Sequence, residues 1–433
     1  MLLLACIVVL AGCASPVRLM PTPLKFTTGH AGPFTQAGAD GDSSFISVFY
    51  ATNRAVLIEA RHPVYTIFPS DTLRLGNARV RIGDGQLDWE QIQALSTSET
   101  LRGRPILSLE SLEEMAAFDI NDGGPPDARS RALFSDINRA LAASPQKDLT
   151  LYVHGFNNAV WRGTAQAAQL QHFTGRQAVV MAYLWPSAAS LLSYATDVRT
   201  ARASVPAFTR LMSTLLAHTD AEHINILAFS AGARIASEGL ATLVRPRGGE
   251  SPGDVRARVR LGEVYFAAPD EDVDRFVADL AAYIPYARRV SLSANMNDRA
   301  LRLAARHQGV TRAGRPRRDS LGPEQWQFVT TAARHLNLDL IRIDASDIPG
   351  LSRRSHSFWY ENSWVSSDVL MQFLWHKAPG ERGLESHDTP EGLRFWAFPP
   401  DYVQRIENLL LRRQGHGPDA ETPAPQGAAA LRR

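Results

Sequence analysis

Ser230 stands in a setting that can turn a weak nucleophile into a strong one. Ile224-Asn225-Ile226-Leu227 is a mostly apolar run, Ala228-Phe229-Ser230-Ala231-Gly232 follows, and a helical pattern begins at once and reaches Leu243. A strand, a sharp turn carrying one serine, and a helix hold the hydroxyl clear of the backbone. The helix N-terminus then lies beside the negative charge that develops when the hydroxyl attacks a carbonyl. Small residues two before and two after the serine, Ala228 and Gly232, let strand and helix approach closely; Ala228 makes the turn one methyl tighter than glycine would. Such a serine needs a base, and the base needs an acid to orient it. His356 is the expected base and Asp298 the expected acid. Asp270 and Asp272 are rival acids and stay open at this level. His335, His376 and His387 are less well placed, because they fall before the relevant strand or beyond the next helix. The backbone N–H groups of Phe156 and Ala231 are the expected donors to a developing oxyanion.

These residues have to be positioned by strands and helices in alternation. Phe45–Thr52 predicts a strand, and the alternation over 72–82 predicts a half-exposed edge strand. Leu109–Phe118 predicts an amphipathic helix, and Arg129–Ala143 another. Leu149–Val153, Ala178–Leu184, Ile224–Phe229, Gly262–Ala267, Arg289–Ser293 and Leu338–Ile343 predict strands. Helical spacing separates them, with Pro206 as a break or helix start within 191–217. Strands divided by helices imply an α/β fold with a mostly parallel sheet and helices on both faces. In such a sheet functional groups gather at the carboxyl ends of the strands. His154-Gly155-Phe156, Ser230, Asp298 and His356 each follow a predicted strand. Asp197 and Arg199 read as a helix-surface pair or as residues lining the site, Arg54 as a brace at the end of the first strand, and Arg306–Arg318 as a solvated basic loop or one that meets anionic lipid head groups. Phe358, Trp359, Tyr360 and Trp364 read as core, or as an apolar wall beside His356.

Serine, acid, histidine is the chain order of the α/β-hydrolase triad. Several stretches carry a resemblance to the bacterial α/β-hydrolases of the DUF900 family: Val48–Arg54; Leu151-Tyr152-Val153-His154-Gly155-Phe156-Asn157-Asn158; Leu184-Trp185-Pro186-Ser187 with Tyr194 and Asp197; Ala228–Gly232; Ala267–Asp272; Ser293–Leu301; and Arg312 with Gly314. Where that family has His-Ser-Met-Gly, this chain has Phe229-Ser230-Ala231-Gly232. The resemblance implies an α/β-hydrolase fold over about residues 45–375 and a serine-hydrolase site. The expected activity is cleavage of a small-molecule carboxylic ester or other acyl substrate through an acyl-enzyme. Acyl transfer or amide cleavage with the same triad is the alternative, and a non-catalytic envelope scaffold on the same fold is a further one.

Met1–Val9 is almost wholly apolar, and Leu10-Ala11-Gly12-Cys13 resembles the lipoprotein cleavage box. The expectation is a signal over 1–13, acylation of Cys13, and a lipid anchor at the periplasmic face of the outer membrane. Residues 14–44 read as a flexible tether, 45–412 as the hydrolase domain and 413–433 as a disordered tail. Cys6 and Cys13 are the two cysteines, so a chain beginning at Cys13 has no internal disulfide and no cysteine metal site. No metal or cofactor motif is present. A net charge of +2, with dispersed basic residues, argues against nucleic acid as a partner.

Overall fold

The computed structural model describes residues 16–27, 43–122, 127–188, 190, 193–316 and 318–413. Its strands are β1 (Phe45–Ile58), β2 (Val64–Ile82), β3 (Leu107–Asp119), β4 (Leu149–Val153), β5 (Val179–Tyr183), β6 (Ile224–Phe229), β7 (Leu261–Ala267), β8 (Arg289–Ala294), β9 (Leu338–Arg342), β10 (Glu385–Asp388) and β11 (Arg394–Ala397). They form one 11-stranded sheet in the order β10-β11-β9-β8-β7-β6-β4-β5-β1-β2-β3. From β11 to β1 neighbouring strands are parallel. The two ends are finished by antiparallel pairs, β10 with β11 and β2 with both β1 and β3.

Fourteen α-helices lie among the described residues: α1 (Leu24–Thr27), α2 (Trp89–Thr97), α3 (Ala128–Ala143), α4 (Val160–His172), α5 (Tyr194–Ala203), α6 (Val205–His218), α7 (Gly232–Leu243), α8 (Pro252–Val259), α9 (Val273–Tyr283), α10 (Arg299–Gln308), α11 (Pro323–His335), α12 (Phe358–Glu361), α13 (Ser363–Trp375) and α14 (Tyr402–Arg413). The central strands are buried on both faces, and the pleat divides their side chains between two cores. Ile224, Ile226 and Ala228 of β6 join one core with α3, α6, α7 and α9. Leu227 and Phe229 join the other with α4 and α13. None of the described helices is long and apolar enough to cross a membrane.

Three expectations are corrected. Leu109–Phe118 lies within β3 and is not a helix. Its apolar residues at spacings of three mimic a helical stripe because the β2–β3 ladder shifts register twice, at Leu75/Gly76 and Arg79/Val80, so strict alternation is lost. Gly76 makes that possible: a Cβ there would lie 1.9 Å from the Glu113 carbonyl oxygen. Residues 72–82 belong to a longer strand inside the sheet, with β3 at the edge instead.

The third correction concerns the tether. Residues 16–27 are docked: Leu19, Met20, Leu24 and Phe26 are buried, and Met20 N and Leu24 N donate to Gln169 Oε1 (3.0 Å) and Ser367 Oγ (2.7 Å). Pro21 and Pro23 break any periodicity, which hid this segment in the sequence. Residues 1–15, with Cys13, residues 28–42 of the tether, and the tail from 414 lie outside the described residues.

Candidate active site

Ser230 sits at the β6–α7 turn with φ +52°, in the left-handed region that costs a non-glycine residue energy. The turn is held from several sides. Ser230 N donates to Ala267 O (2.9 Å), while Ser230 O accepts from Ala233 N and Asp270 N (both 3.0 Å). Gly232 has no room for a side chain, since a Cβ would come within 2.5 Å of Val153 O and 2.7 Å of His154 O. Gly155 is similarly close, with its would-be Cβ 3.0 Å from Ser230 Cβ. Ala228 is accommodated in the core, paired in register with Val153 and Phe266.

His356 reaches Ser230 from the long loop between β9 and α12. Its Nε2 lies 2.8 Å from Ser230 Oγ and its Nδ1 lies 2.6 Å from Asp298 Oδ2. With the carboxylate accepting the Nδ1 proton, Nε2 is the acceptor for the serine hydroxyl. Asp298 is fully buried, and its other oxygen caps α10 by accepting from Leu301 N at 3.0 Å. The carboxylate is therefore fixed from two directions. The imidazole rests near the Phe229 ring (5.2 Å between centroids), which Trp359 and Tyr360 support from behind. One-fifth of the His356 side chain stays exposed, enough for an entering molecule to touch it. Burial disfavours the imidazolium. The charge and hydrogen bond of Asp298, helped by Asp270 and Glu361, outweigh burial and raise the His356 pKa above its ordinary value.

The rival acids are engaged elsewhere. Asp270 accepts from Tyr194 Oη (2.8 Å) and Arg234 Nη2 (3.2 Å), with Arg312 Nε at 3.4 Å. Asp272 caps α9, accepting from Asp274 N and Arg275 N. The structure thus brings together Ser230, His356 and Asp298, and leaves Asp270 and Asp272 outside the hydrogen-bonded set.

The loop after β4 carries Phe156 past Ser230. Tyr194 packs edge-on against the Phe156 ring at 5.3 Å. The N–H groups of Phe156 and Ala231 have no acceptor among the described residues. His154 is buried and stacked on Trp185 (5.2 Å, 16°), and its Nδ1 lies 2.8 Å from Gly155 O. Burial, with Arg54 adding to it, drives its pKa down to about 3, so it is neutral and shapes the loop.

Arg54 does more than brace one strand. Fully buried, it donates to the carbonyls of Thr66, Asn158, Leu184, Trp185 and Ser187, tying the ends of β1 and β5 to the Phe156 loop. Burial pulls its pKa down to about 10, against the favourable charge of Asp197. Asp197 is buried too. It accepts from Ser187 Oγ (2.5 Å) and Ala188 N (2.8 Å), while Arg199 is exposed, so the expected surface pair does not form. Asn295 was missed in the sequence. Its Nδ2 donates to Ser355 O (2.8 Å) and Arg353 O (3.3 Å), fastening the His356 loop to the end of β8. Its place three residues before Asp298 was the available signal. Gly314 presses on the backbone at Ala268 and Pro269, where a Cβ would be 2.7 Å away. An apolar cavity of about 350 Å³ lies between α9, α11 and the sheet, and its lining includes none of Ser230, Asp298 and His356. Among the described residues no group of three or more His, Cys, Asp or Glu is arranged to hold a metal ion.

A model of the family described as "Alpha/beta hydrolase of unknown function (DUF900)" matches residues 129–362, more than half of the chain. The chain belongs to that family. Its fold is the α/β-hydrolase fold, as the parallel sheet flanked by helices bears out. No curated protein matches it. Among solved structures it is similar to esterase B from Lactobacillus rhamnosis, inhibited by a C4-C4 SN3 tributyrin phosphonate. That match has 12% identity and a TM-score of 0.32, and covers 62% of this chain and 79% of the other. It is also similar to Thermogutta terrifontis esterase 2 phosphorylated by paraoxon, at 13% identity and a TM-score of 0.30, covering 55% of this chain and 86% of that one. For this DUF900 α/β-hydrolase, the segments before residue 129 and after 362 extend beyond the matched region. They supply β1–β3 at one edge of the sheet and α13 and the β10–β11 hairpin at the other side.

Proposed function

We propose that this hydrolase cleaves carboxylic esters of small molecules through an acyl-enzyme on Ser230, with His356 as general base and acid and Asp298 as its orienting carboxylate. The observation that carries the reading is the continuous pair of hydrogen bonds, Ser230 Oγ to His356 Nε2 at 2.8 Å and His356 Nδ1 to Asp298 Oδ2 at 2.6 Å, on a serine in the left-handed region. In this reading Oγ attacks the ester carbonyl carbon as its proton passes to Nε2. The carbonyl oxygen becomes an oxyanion accepting from the N–H groups of Phe156 and Ala231. Collapse breaks the C–O bond to the alcohol, which leaves with the proton from Nε2. Water then repeats the sequence on the acyl-serine, releasing the acid and restoring the serine. Labelling with a fluorophosphonate probe, and a screen of p-nitrophenyl esters of different chain length, test this with Ser230→Ala as control. A folded wild-type protein that neither takes the probe nor turns over any ester would leave the scaffold alternative standing.

The raised His356 pKa sets a pH dependence. The reactive form is the neutral imidazole, so kcat/KM is expected to rise with pH through that pKa. The midpoint of the acid limb should lie above the free-histidine value of about 6.5. Asp298→Asn removes the charge that raises the pKa, so the remaining activity should show an acid limb at lower pH. An unmoved limb in that variant would mean that another group sets it.

We further propose that Cys13 is acylated and holds the protein at the periplasmic face of a membrane. The motive is the apolar run ending in Leu10-Ala11-Gly12-Cys13. In cell fractionation with a high-salt wash, which weakens purely electrostatic membrane contacts, Cys13→Ser is expected to move most of the protein to the soluble fraction; equal membrane retention after the wash would refute the anchor.

A further inference from the structure

Helix α10 and the loop after it concentrate charge in a way the rest of the chain does not. Residues 299–316 contain Arg299, Arg302, Arg306, Arg312 and Arg315 and no Asp or Glu, in a protein whose net charge is only +2. Arg299, Arg302 and Arg306 recur at helical spacing, so they share one stripe of α10. No ion pair of these three is present among the described residues, and Arg302 Nε has no acceptor. Beside the stripe opens a cleft of about 650 Å³ lined by Arg302, Arg306, Arg312 and Arg315, with no acidic side chain in its wall. Arg312 is itself buried, paired to Asp270 and to Gln308 Oε1 (2.8 Å), so the floor of the cleft is rigidly held.

Apolar side chains stand on the same part of the surface. Leu303, within the arginine stripe, is 69% exposed, and Met296 and Val310 at the two ends of α10 are 44% and 41% exposed. Leu303 and the arginines beside it form a mixed apolar and cationic surface. It suits a bilayer interface, where phosphates meet the guanidinium groups and apolar side chains enter the acyl boundary.

We propose that α10 and residues 309–316 dock the protein on an anionic phospholipid surface, with head-group phosphates in the arginine cleft and Leu303 and Val310 in the interface. The charge complementarity selects anionic over zwitterionic lipid. The surface also adjoins Ser230. Asp298 caps α10, and His307 of α10 packs at 5.6 Å against Tyr194, which packs against Phe156. Docking there sets the helix that Asp298 caps against the lipid–water boundary.

The test is co-sedimentation of the full chain carrying Cys13→Ser, so that no lipid anchor contributes, with vesicles of phosphatidylcholine alone or mixed with phosphatidylglycerol. Binding is expected only to the phosphatidylglycerol vesicles and is expected to weaken in high salt. The double variant R302E/R306E should bind about 30-fold or more weaker, and Leu303→Ser should lose the part of the binding that survives salt. Turnover of a soluble short-chain ester should be unchanged in all three proteins, so docking and the proposed chemistry read out separately. Equal binding to both vesicle types, or wild-type binding by R302E/R306E, would overturn the proposal. Saturable binding of glycerol 3-phosphate without vesicle retention would also overturn it, assigning the cleft to a soluble phosphate ester.

Discussion

Ser230→Ala is expected to lower kcat/KM on any ester that the wild type cleaves by about a million-fold, with secondary structure and thermal midpoint retained. Only Oγ is removed, and alanine can occupy the same turn at comparable conformational cost. His356→Ala should cost about as much. The double variant should be hardly worse than either single one, because nucleophile and base act as one unit and the second loss has nothing left to remove. Asp298→Asn is expected to lose on the order of ten-thousand-fold. The amide cannot accept the Nδ1 proton with a full charge, and its NH₂ group favours the wrong imidazole tautomer. Asp270→Asn offers the contrast. It leaves the buried Arg234 and Arg312 short of a counter-charge, so its main effect should be on stability. Kinetics of these variants on one p-nitrophenyl ester decide the matter. Additive losses in the double variant, or near-wild-type turnover by Asp298→Asn beside an inactive but folded Asp270→Asn, would show that the acid is misassigned or the unit does not exist.

Arg54→Met is expected to destabilise the protein by about 3–5 kcal/mol, seen as a lower urea or thermal midpoint. Methionine fills much of the volume but donates nothing, so five carbonyls, four of them buried, lose a charged donor. Arg54→Lys should recover little, because one compact ammonium cannot span carbonyls that a planar guanidinium reaches together. Two of the acceptors, Asn158 O and Ser187 O, belong to the segments that hold the Phe156 loop, so kcat should fall as well at temperatures where the variant is folded. An unchanged unfolding midpoint for Arg54→Met would rule out this bracing role.

Much of the architecture was legible because the central strands are short, apolar and separated by helical stretches with clear spacing. Arg289–Ser293 and Leu338–Ile343 were found on that signal, and both end in loops that carry a site residue. The edge of the sheet was less legible. Leu109–Phe118 reads as a helix because the bulges of β2 and β3 disturb a period of two, and a bulge is a property of the pair, not of either strand. The docked segment 16–27 and the β10–β11 hairpin were missed for a related reason. Each is short and is held by partners far away in the chain, as Leu24 is by Ser367.

The sequence by itself determined the order of elements, the strand-turn-helix around Ser230, and which residues stand at strand ends, since these depend on neighbours a few positions apart. It left three acids in play, because Asp270, Asp272 and Asp298 all follow strands in a similar local setting. In the tertiary structure they have different partners. Strand order places β8 beside β9, Asn295 fastens the His356 loop there, and Arg234 and Arg312 draw Asp270 into a pair of their own. The left-handed turn of Ser230, the small-residue contacts that require Gly155 and Gly232, and the reach of Arg54 across two strand ends were likewise decided in space. Each depends on how closely backbones distant in the chain approach one another, and close approach is set by packing, which no local pattern records.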